Sequence, residues 1–308
     1  MNENDIKTII EKVIAELSLA GSTPDSSAAA ENSVPADNNA AVCCGRAEEP
    51  VVVEDGYIDD ITEHDLKEQF FVPNPEDKEG YIRMKQFTPA RIGVWRAGPR
   101  YNTVSSLRFK ADHATAQDAV FTSVPDEFVA ECGFVASQTV CVDKDEYLTR
   151  PDLGKVLSVS ERKRLKEELP KNAKVQLVVG DGLSSAAIIA NIKEIMLSLK
   201  QGLRSYGIET GPIPFIKYAR VGVEDEIGEL TGSDVICLFI GERPGLVTAE
   251  SMSAYIAYKP MINMPEARRT VVSNIHRGGS LPIETGAHIA DIIKLMLDKK
   301  VSGVDLKL

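Results

Sequence analysis

Apolar and polar positions along this chain change rhythm three times. Near the start, Ile6, Ile9, Ile10, Val13, Ile14 and Leu17 recur at steps of three and four, with Glu3, Lys7, Glu11, Lys12 and Glu16 between them. That spacing puts the apolar side chains on one stripe and predicts a short amphipathic helix over residues 3–19. The tract that follows, residues 20–50, is rich in Ala, Ser, Asn, Pro and Asp and too poor in large apolar residues to order itself. A lone helix of this length is marginal in water, so its stripe needs a partner surface: the protein's own core or another assembly. The next acidic stretch predicts a helix near Ile61–Gln69, broken by Pro73 and Pro75.

From Gln86 to Leu169 the pattern is mixed and mostly helical. It has an Arg-rich start (Arg91, Arg96, Arg100, Arg108), an Ala-rich helix at Asp112–Val120 and a helix near Ser160–Glu168 that Pro170 ends. From residue 173 onward strands alternate with helices. KVQLVVGDGLSSAAIIANIKEIMLSLKQGL reads as strand, turn, helix; FIKYARVGVEDEIGEL as a strand with a helical or turn sequel; VICLFIGERPGL as a second buried strand; and Glu284–Lys300 as the closing helix. Continuous β-branched runs of this kind predict an α/β fold, a Rossmann-like doubly wound parallel sheet with a smaller α-rich domain and a disordered N-terminal leader. The expected units are a targeting helix over residues 1–20, a flexible acidic linker and connector over 21–85, the α-rich domain over 86–170 and the α/β domain over 171–308.

Composition narrows the function classes. A chain of 308 residues with 43% hydrophobic content can build about two domains. Its net charge is −11, yet residues 1–80 hold 19 Asp and Glu against 5 Lys and Arg, which leaves the rest at +3. A nearly neutral core without a basic stripe argues against nucleic acid as a partner. No apolar run approaches the roughly 20 residues a bilayer needs, and the acidic amino terminus does not read as a signal peptide, so a cytosolic protein is expected. Five cysteines, Cys43, Cys44, Cys132, Cys141 and Cys237, show no CxxC spacing and suit reduced thiols. The adjacent Cys43 and Cys44 are read as incidental exposed thiols, with a redox pair or a metal half-site as alternatives.

Four segments could carry chemistry. Gly241-Glu242-Arg243-Pro244-Gly245 ends a buried strand, where open α/β sheets place ligands, and its turn formers hold the charged pair. Asp181, Gly182, Ser184 and Ser185 stand at a strand-to-helix junction that is either a helix cap or a ligand loop; it is neither GxGxxG nor a P-loop. Glu224, Asp225, Glu226 and Glu229 could bind metal or exchange protons, but following a strand and flanking Gly228 they read as a solvated turn. His276 beside Arg277 could serve an anion loop or act as a base. His64, His113, His276 and His288 lack metal-ligand spacing, so no metal site is expected.

Taken together with the closing SGVDLKL, the chain resembles the small (light) subunit of ethanolamine ammonia-lyase. The resemblance runs from about Phe87 to the carboxyl terminus through TPARIGVWRAGPRYNT, RFKADHATAQDAV, YLTRPDLGKVL, VVGDGLSSAA, ARVGVEDEIGE, IGERPGLVTAESMSAY and VVSNIHRGG. It implies a complex with a TIM-barrel large subunit that converts 2-aminoethanol to acetaldehyde and ammonia with adenosylcobalamin. In such a complex the large subunit performs the radical steps, and the small subunit's α/β domain closes over the corrin. By the same resemblance Val221, Glu242 and Val271 match cobalamin-binding positions, and no residue of this chain is catalytic. Trp95 stands where the family usually has Gly, and Val271 where it often has Cys. The absence of DxHxxG implies that the cofactor keeps its own benzimidazole. The leader resembles cargo tags that dock onto a shell protein, which implies residence in a bacterial microcompartment. Two other readings stand beside this one: a free-standing nucleotide-binding α/β enzyme using the Asp181 loop, and a scaffold that recruits enzymes to shells.

Overall fold

The computed structural model describes residues 60–307. The helix expected over residues 3–19, with Cys43 and Cys44, lies outside the described residues.

The described chain begins in turns, where a helix was expected near Ile61–Gln69. Asp60 Oδ1 accepts from the Thr62 N–H and Asp65 Oδ1 from the Lys67 N–H, both at 2.8 Å. These local bonds satisfy backbone groups that a helix would have used. The first helix is instead α1 (Lys78–Gln86), whose Gly80 N–H donates to Asp77 at 2.7 Å. A two-residue hairpin, β1 (Arg96–Ala97) and β2 (Arg100–Tyr101), leads into α2 (Thr103–Phe121), capped by Asn102. Trp95 is 40% exposed there, so its size does not disturb a core.

The short α3 (Asp126–Glu131), β3 (Val135–Gln138), α4 (Lys144–Thr149) and α5 (Val159–Glu168) follow. Then come β4 (Val175–Asp181), α6 (Ser185–Ser205), β5 (Pro214–Lys217), α7 (Val223–Thr231) and β6 (Val235–Gly241). The chain closes with β7 (Met252–Tyr258), β8 (Thr270–Ile275) and α8 (Pro282–Lys299). The fold is α/β, with one six-stranded sheet in the order β3-β5-β4-β6-β7-β8. It is parallel from β3 to β6, while β7 and β8 add antiparallel strands at one edge. The opposite edge, β3, comes from the stretch whose sequence reads as mostly helical.

Both sides of the central strands are buried, which is why β4 and β6 are apolar throughout. Val175, Leu177, Val179, Cys237 and Phe239 face α6 and α8, and the apolar stripes of those helices cover them. Gly286 lets α8 approach α6 closely, because a Cβ there would stand 2.6 Å from the Ile195 carbonyl oxygen. Val178, Ile216, Ile236, Leu238 and Ile240 face the other way, against Leu165 of α5 and Val223, Ile227 and Leu230 of α7. On this second face the helical cover ends at β7: Tyr255 packs partly against the cluster, and β8 contributes nothing to it. No helix among the described residues is long and apolar enough to cross a membrane.

Candidate functional site

Glu242 follows directly on β6. Its N–H donates to the Ser251 carbonyl at 2.9 Å, so the GERPG segment is the start of a hairpin loop between β6 and β7. Gly241 is required where β6 passes the start of α6, since a Cβ there would collide with the Ser184 carbonyl. From this fixed base the Glu242 side chain reaches along β7, and the Tyr255 hydroxyl donates to its Oε1 at 3.0 Å. Burial, aided by Glu242, pushes the Tyr255 phenol up to about 12, so it stays a donor at any physiological pH. Among the described residues no group donates to the second carboxylate oxygen, Oε2.

Tyr255 is also the cross-strand partner of Val271 on β8, so the two side chains share the face that the helices leave open. Val271 is 45% exposed there, on the outermost strand of the sheet. Thus Tyr255 joins Glu242 to Val271: it holds the one by a hydrogen bond and stands against the other in register.

Val221 is linked to β8 only indirectly, through Glu224 and Arg269. It lies between β5 and α7, where Arg220 is held by its N–H to the Gly154 carbonyl at 2.7 Å and by its guanidinium over the Tyr147 ring at 4.3 Å. The Val221 carbonyl accepts from the Glu224 N–H at 3.0 Å. Its own N–H has no acceptor among the described residues. Two residues before Val271, Arg269 spans the gap between strand and helix: its Nε donates to Glu224 Oε2 at 3.1 Å and its Nη2 to Asp225 Oδ1 at 2.7 Å. The Arg269 and Glu224 side chains are 1% and 0% exposed. A buried ion pair of this kind locks the first turn of α7 to the start of β8.

The acidic segment is therefore not the solvated turn expected from the sequence. Glu224, Asp225 and Glu226 are buried in the first turn of α7, and Glu226 pairs with Arg162 of α5. The cause is the supply of cations from distant segments, together with the helix amino terminus, which favours carboxylates. Burial outweighs Arg269 in setting the protonation of Glu224, whose carboxyl is pushed up to about 8. Burial likewise raises Asp225 and Glu226.

The Asp181 segment is a closed cap. Asp181, Ser184 and Ser185 are all fully buried. Ser184 Oγ accepts from the Ala187 N–H at 3.2 Å and donates to the Ala249 carbonyl. Ser185 Oγ donates to Asp181 Oδ1 at 2.7 Å, and the Val124 N–H reaches Oδ2 at 3.3 Å. The side-chain polar atoms of this loop are thus all engaged within the protein. His276 is likewise engaged by its own loop, with Asn274 Oδ1 at 2.9 Å and the Gly278 N–H at 3.1 Å.

Sequence reasoning missed Tyr255 and Arg269. The alternation of small and aromatic residues in SAYIAY was the available signal for β7 and hence for Tyr255; Arg269, one of two adjacent arginines in EARRT, gave none. Glu242, Tyr255 and Val271 thus share an open sheet face with an anchored carboxylate acceptor, while the free Val221 N–H lies on the β5–α7 loop. That face can hold a flat apolar ligand edged with amide groups; it contains no nucleophile paired with a base.

Comparison with known proteins places the chain in a family. Residues 78–307 match the family described as ethanolamine ammonia-lyase light chain (EutC). The chain is 56% identical over 307 residues, spanning 100% of both chains, to the ethanolamine ammonia-lyase small subunit of Listeria monocytogenes serotype 4a. It is 52% identical over the same length, again with full coverage of both, to the subunits of that name from Clostridium perfringens and Clostridioides difficile. A match of this extent leaves one conclusion: the chain belongs to the ethanolamine ammonia-lyase light-chain family.

Proposed function

We propose that this small subunit holds adenosylcobalamin against a TIM-barrel large subunit, in a complex that converts 2-aminoethanol to acetaldehyde and ammonia. The observation that supports the reading is that Tyr255 ties Glu242 to Val271 on one open sheet face, while Arg269, two residues before Val271, bonds to Glu224, whose N–H donates to the Val221 carbonyl. A corrin is apolar across its ring and carries amides around its rim, and such a group needs an apolar floor with a few fixed polar partners.

The residues fit that group. Glu242 Oε2 would accept an amide N–H while Tyr255 holds the other oxygen still. The Val221 N–H would donate to an amide carbonyl, and the half-exposed Val271 side chain would lie against the apolar edge. When bound, the cofactor supplies cobalt–carbon homolysis; substrate binding and the radical steps belong to the large subunit. The work of this chain is to hold the acceptor and donor in place and to keep water from the covered face. The Arg269 clamp keeps the Val221 segment and β8 in register for that purpose.

The leader supports a location as well as a role. The stripe Ile6, Ile9, Ile10, Val13, Ile14 and Leu17, followed by a polar tract, suits a peptide that docks onto a microcompartment shell protein. Packaging would confine the reactive aldehyde product.

The deciding experiment is acetaldehyde release from 2-aminoethanol by the co-purified large subunit and this chain, with adenosylcobalamin, against each chain alone. Activity is expected only in the mixture and only with the cofactor. Absence of activity with a folded, verified partner would overturn the reading.

A further inference from the structure

Lys217 and Asp181 are the last residues of β5 and β4 and stand beside one another in register, with Gln138, the last residue of β3, on the other side of Lys217. The carboxyl ends of parallel strands are where open α/β sheets take their ligands. At the next residue the chain turns through Tyr218, whose φ of 58° lies in the left-handed region. A bulky aromatic residue is a genuine outlier there, and such outliers gather at ligand clamps. The turn stacks the Tyr218 ring on Tyr147, with centroids 5.8 Å apart. Two ammonium groups flank the Tyr218 ring: Lys217 Nζ at 5.2 Å from its centroid and Lys144 Nζ, from the start of α4, at 5.9 Å.

Packing explains part of this group. Tyr147 is fully buried, and its hydroxyl donates to the Ala219 carbonyl at 3.0 Å. Arg220 is spent on the Tyr147 ring and, at 3.0 Å, on the Tyr147 carbonyl. Asp181 has both oxygens engaged, by Ser185 and by the Val124 N–H. The nearby acids are likewise occupied: Asp143 and Glu146 accept from backbone N–H groups of their own segment, and Asp152 pairs with Arg150.

Three donors remain. The Tyr218 hydroxyl has no partner among the described residues and is not one of the enclosed polar atoms, so it keeps accessible surface. Lys217 Nζ makes no hydrogen bond or ion pair among the described residues, and Lys144 Nζ makes one long bond, to the Thr122 carbonyl at 3.3 Å. Both lysines are half-buried, with their ammonium groups on the same ring. Burial pushes the Lys144 ammonium down and Asp181 draws it back, while Arg220 and Lys217 push it down further. Like charges are thus held close around an open hydroxyl.

On the cobalamin reading given above, we propose that Lys217, Tyr218 and Lys144 grip the phosphodiester of the cofactor's nucleotide tail. A phosphodiester carries its negative charge on two free oxygens, and ammonium donors meet it with charge-assisted bonds that the neutral amides of the corrin rim do not receive. Val221, whose N–H would serve a rim amide, is three residues beyond Tyr218 on the same loop, and the nucleotide tail hangs from that rim.

The test is absorbance titration of the complex with the large subunit, using hydroxocobalamin and, in parallel, cobinamide, which has the same ring without the nucleotide or its phosphodiester. Lys217→Gln should weaken cobalamin binding about tenfold or more, and Lys144→Gln and Tyr218→Phe by less, with cobinamide affinity unchanged in all three. Tyr218→Phe keeps the stacked ring and serves if a lysine variant disturbs the strand end. Equal weakening of both ligands, or of neither, overturns the phosphodiester grip and leaves the cobalamin reading in place. A wild-type complex that binds neither corrin overturns both. Saturable binding of inorganic phosphate that Lys217→Gln abolishes, with cobalamin affinity untouched, would assign the cluster to a free phosphate and overturn its link to the cofactor.

Discussion

Arg269 and Glu224, 45 residues apart in sequence, form a buried ion pair whose Nε–Oε2 distance is 3.1 Å. The pair joins β8 to α7, and so joins the two segments that carry Val271 and Val221.

Replacing Arg269 by Met leaves Glu224 and Asp225 buried without their cation. Removing one partner of a buried pair costs about 3–5 kcal/mol, so urea unfolding above about pH 8, where Glu224 is ionised, should show a loss of that order. Combining Arg269→Met with Glu224→Gln and Asp225→Asn should recover much of it, because both stranded charges are then gone. An unchanged midpoint in the single variant would refute the clamp.

Glu224 also sets a pH dependence. Its folded carboxyl is raised to about 8 from an ordinary value of 4.5, mainly by burial, so the folded state holds the proton more tightly than the unfolded state. The resulting stabilisation is complete below about pH 4.5 and is lost as pH rises through about 8. Glu224→Gln should therefore flatten the decline in stability between those limits, read as urea midpoints at several pH values. It should not abolish the decline, since Asp225 and Glu226 are shifted in the same direction.

Tyr255→Phe removes the hydroxyl that fixes Glu242 and leaves the ring in place. Adenosylcobalamin titration of the complex should show affinity weaker by roughly threefold to tenfold, as expected for one hydrogen bond. Glu242→Ala should weaken it further, about tenfold or more, and the double variant should be no worse than Glu242→Ala, because the tyrosine acts through the carboxylate.

Gly241→Ala should be poorly tolerated. The added methyl would meet the Ser184 backbone carbonyl, which cannot rotate away, so a loss of about 1–3 kcal/mol or more is expected in thermal or urea unfolding.

Outside the described residues, Ile9→Glu or Ile10→Glu would place a charge in the leader's apolar stripe. Co-sedimentation with purified shells should be lost while activity of the complex persists. Undiminished co-sedimentation would remove the packaging role.

Much of the parallel part of the fold was legible because its strands are buried on both faces and therefore read as unbroken apolar runs, as in β4 and β6. The antiparallel edge was not, because β8 has one open face and its burial is irregular, so TVVSNI carries little periodic signal. The acidic run at Glu224 misled for a related reason. A carboxylate's burial depends on whether the fold brings a cation to it, and Arg269 and Arg162 arrive from 45 and 64 residues away. Val221, Glu242 and Val271 were singled out by family motifs alone, whereas Tyr255 and Arg269, which bond to their neighbourhoods, owe their positions to strand register and tertiary contact.

The β6–β7 connection has one more consequence. Because Glu242 is paired to Ser251 across the neck of a hairpin, its height above the sheet is set by the two strands and not by residues 243–250. The loop beyond the neck is tied down separately, by Arg91 at the Leu246 carbonyl and by Asn191 at the Glu250 carbonyl, so a disturbance at its tip need not reach the carboxylate.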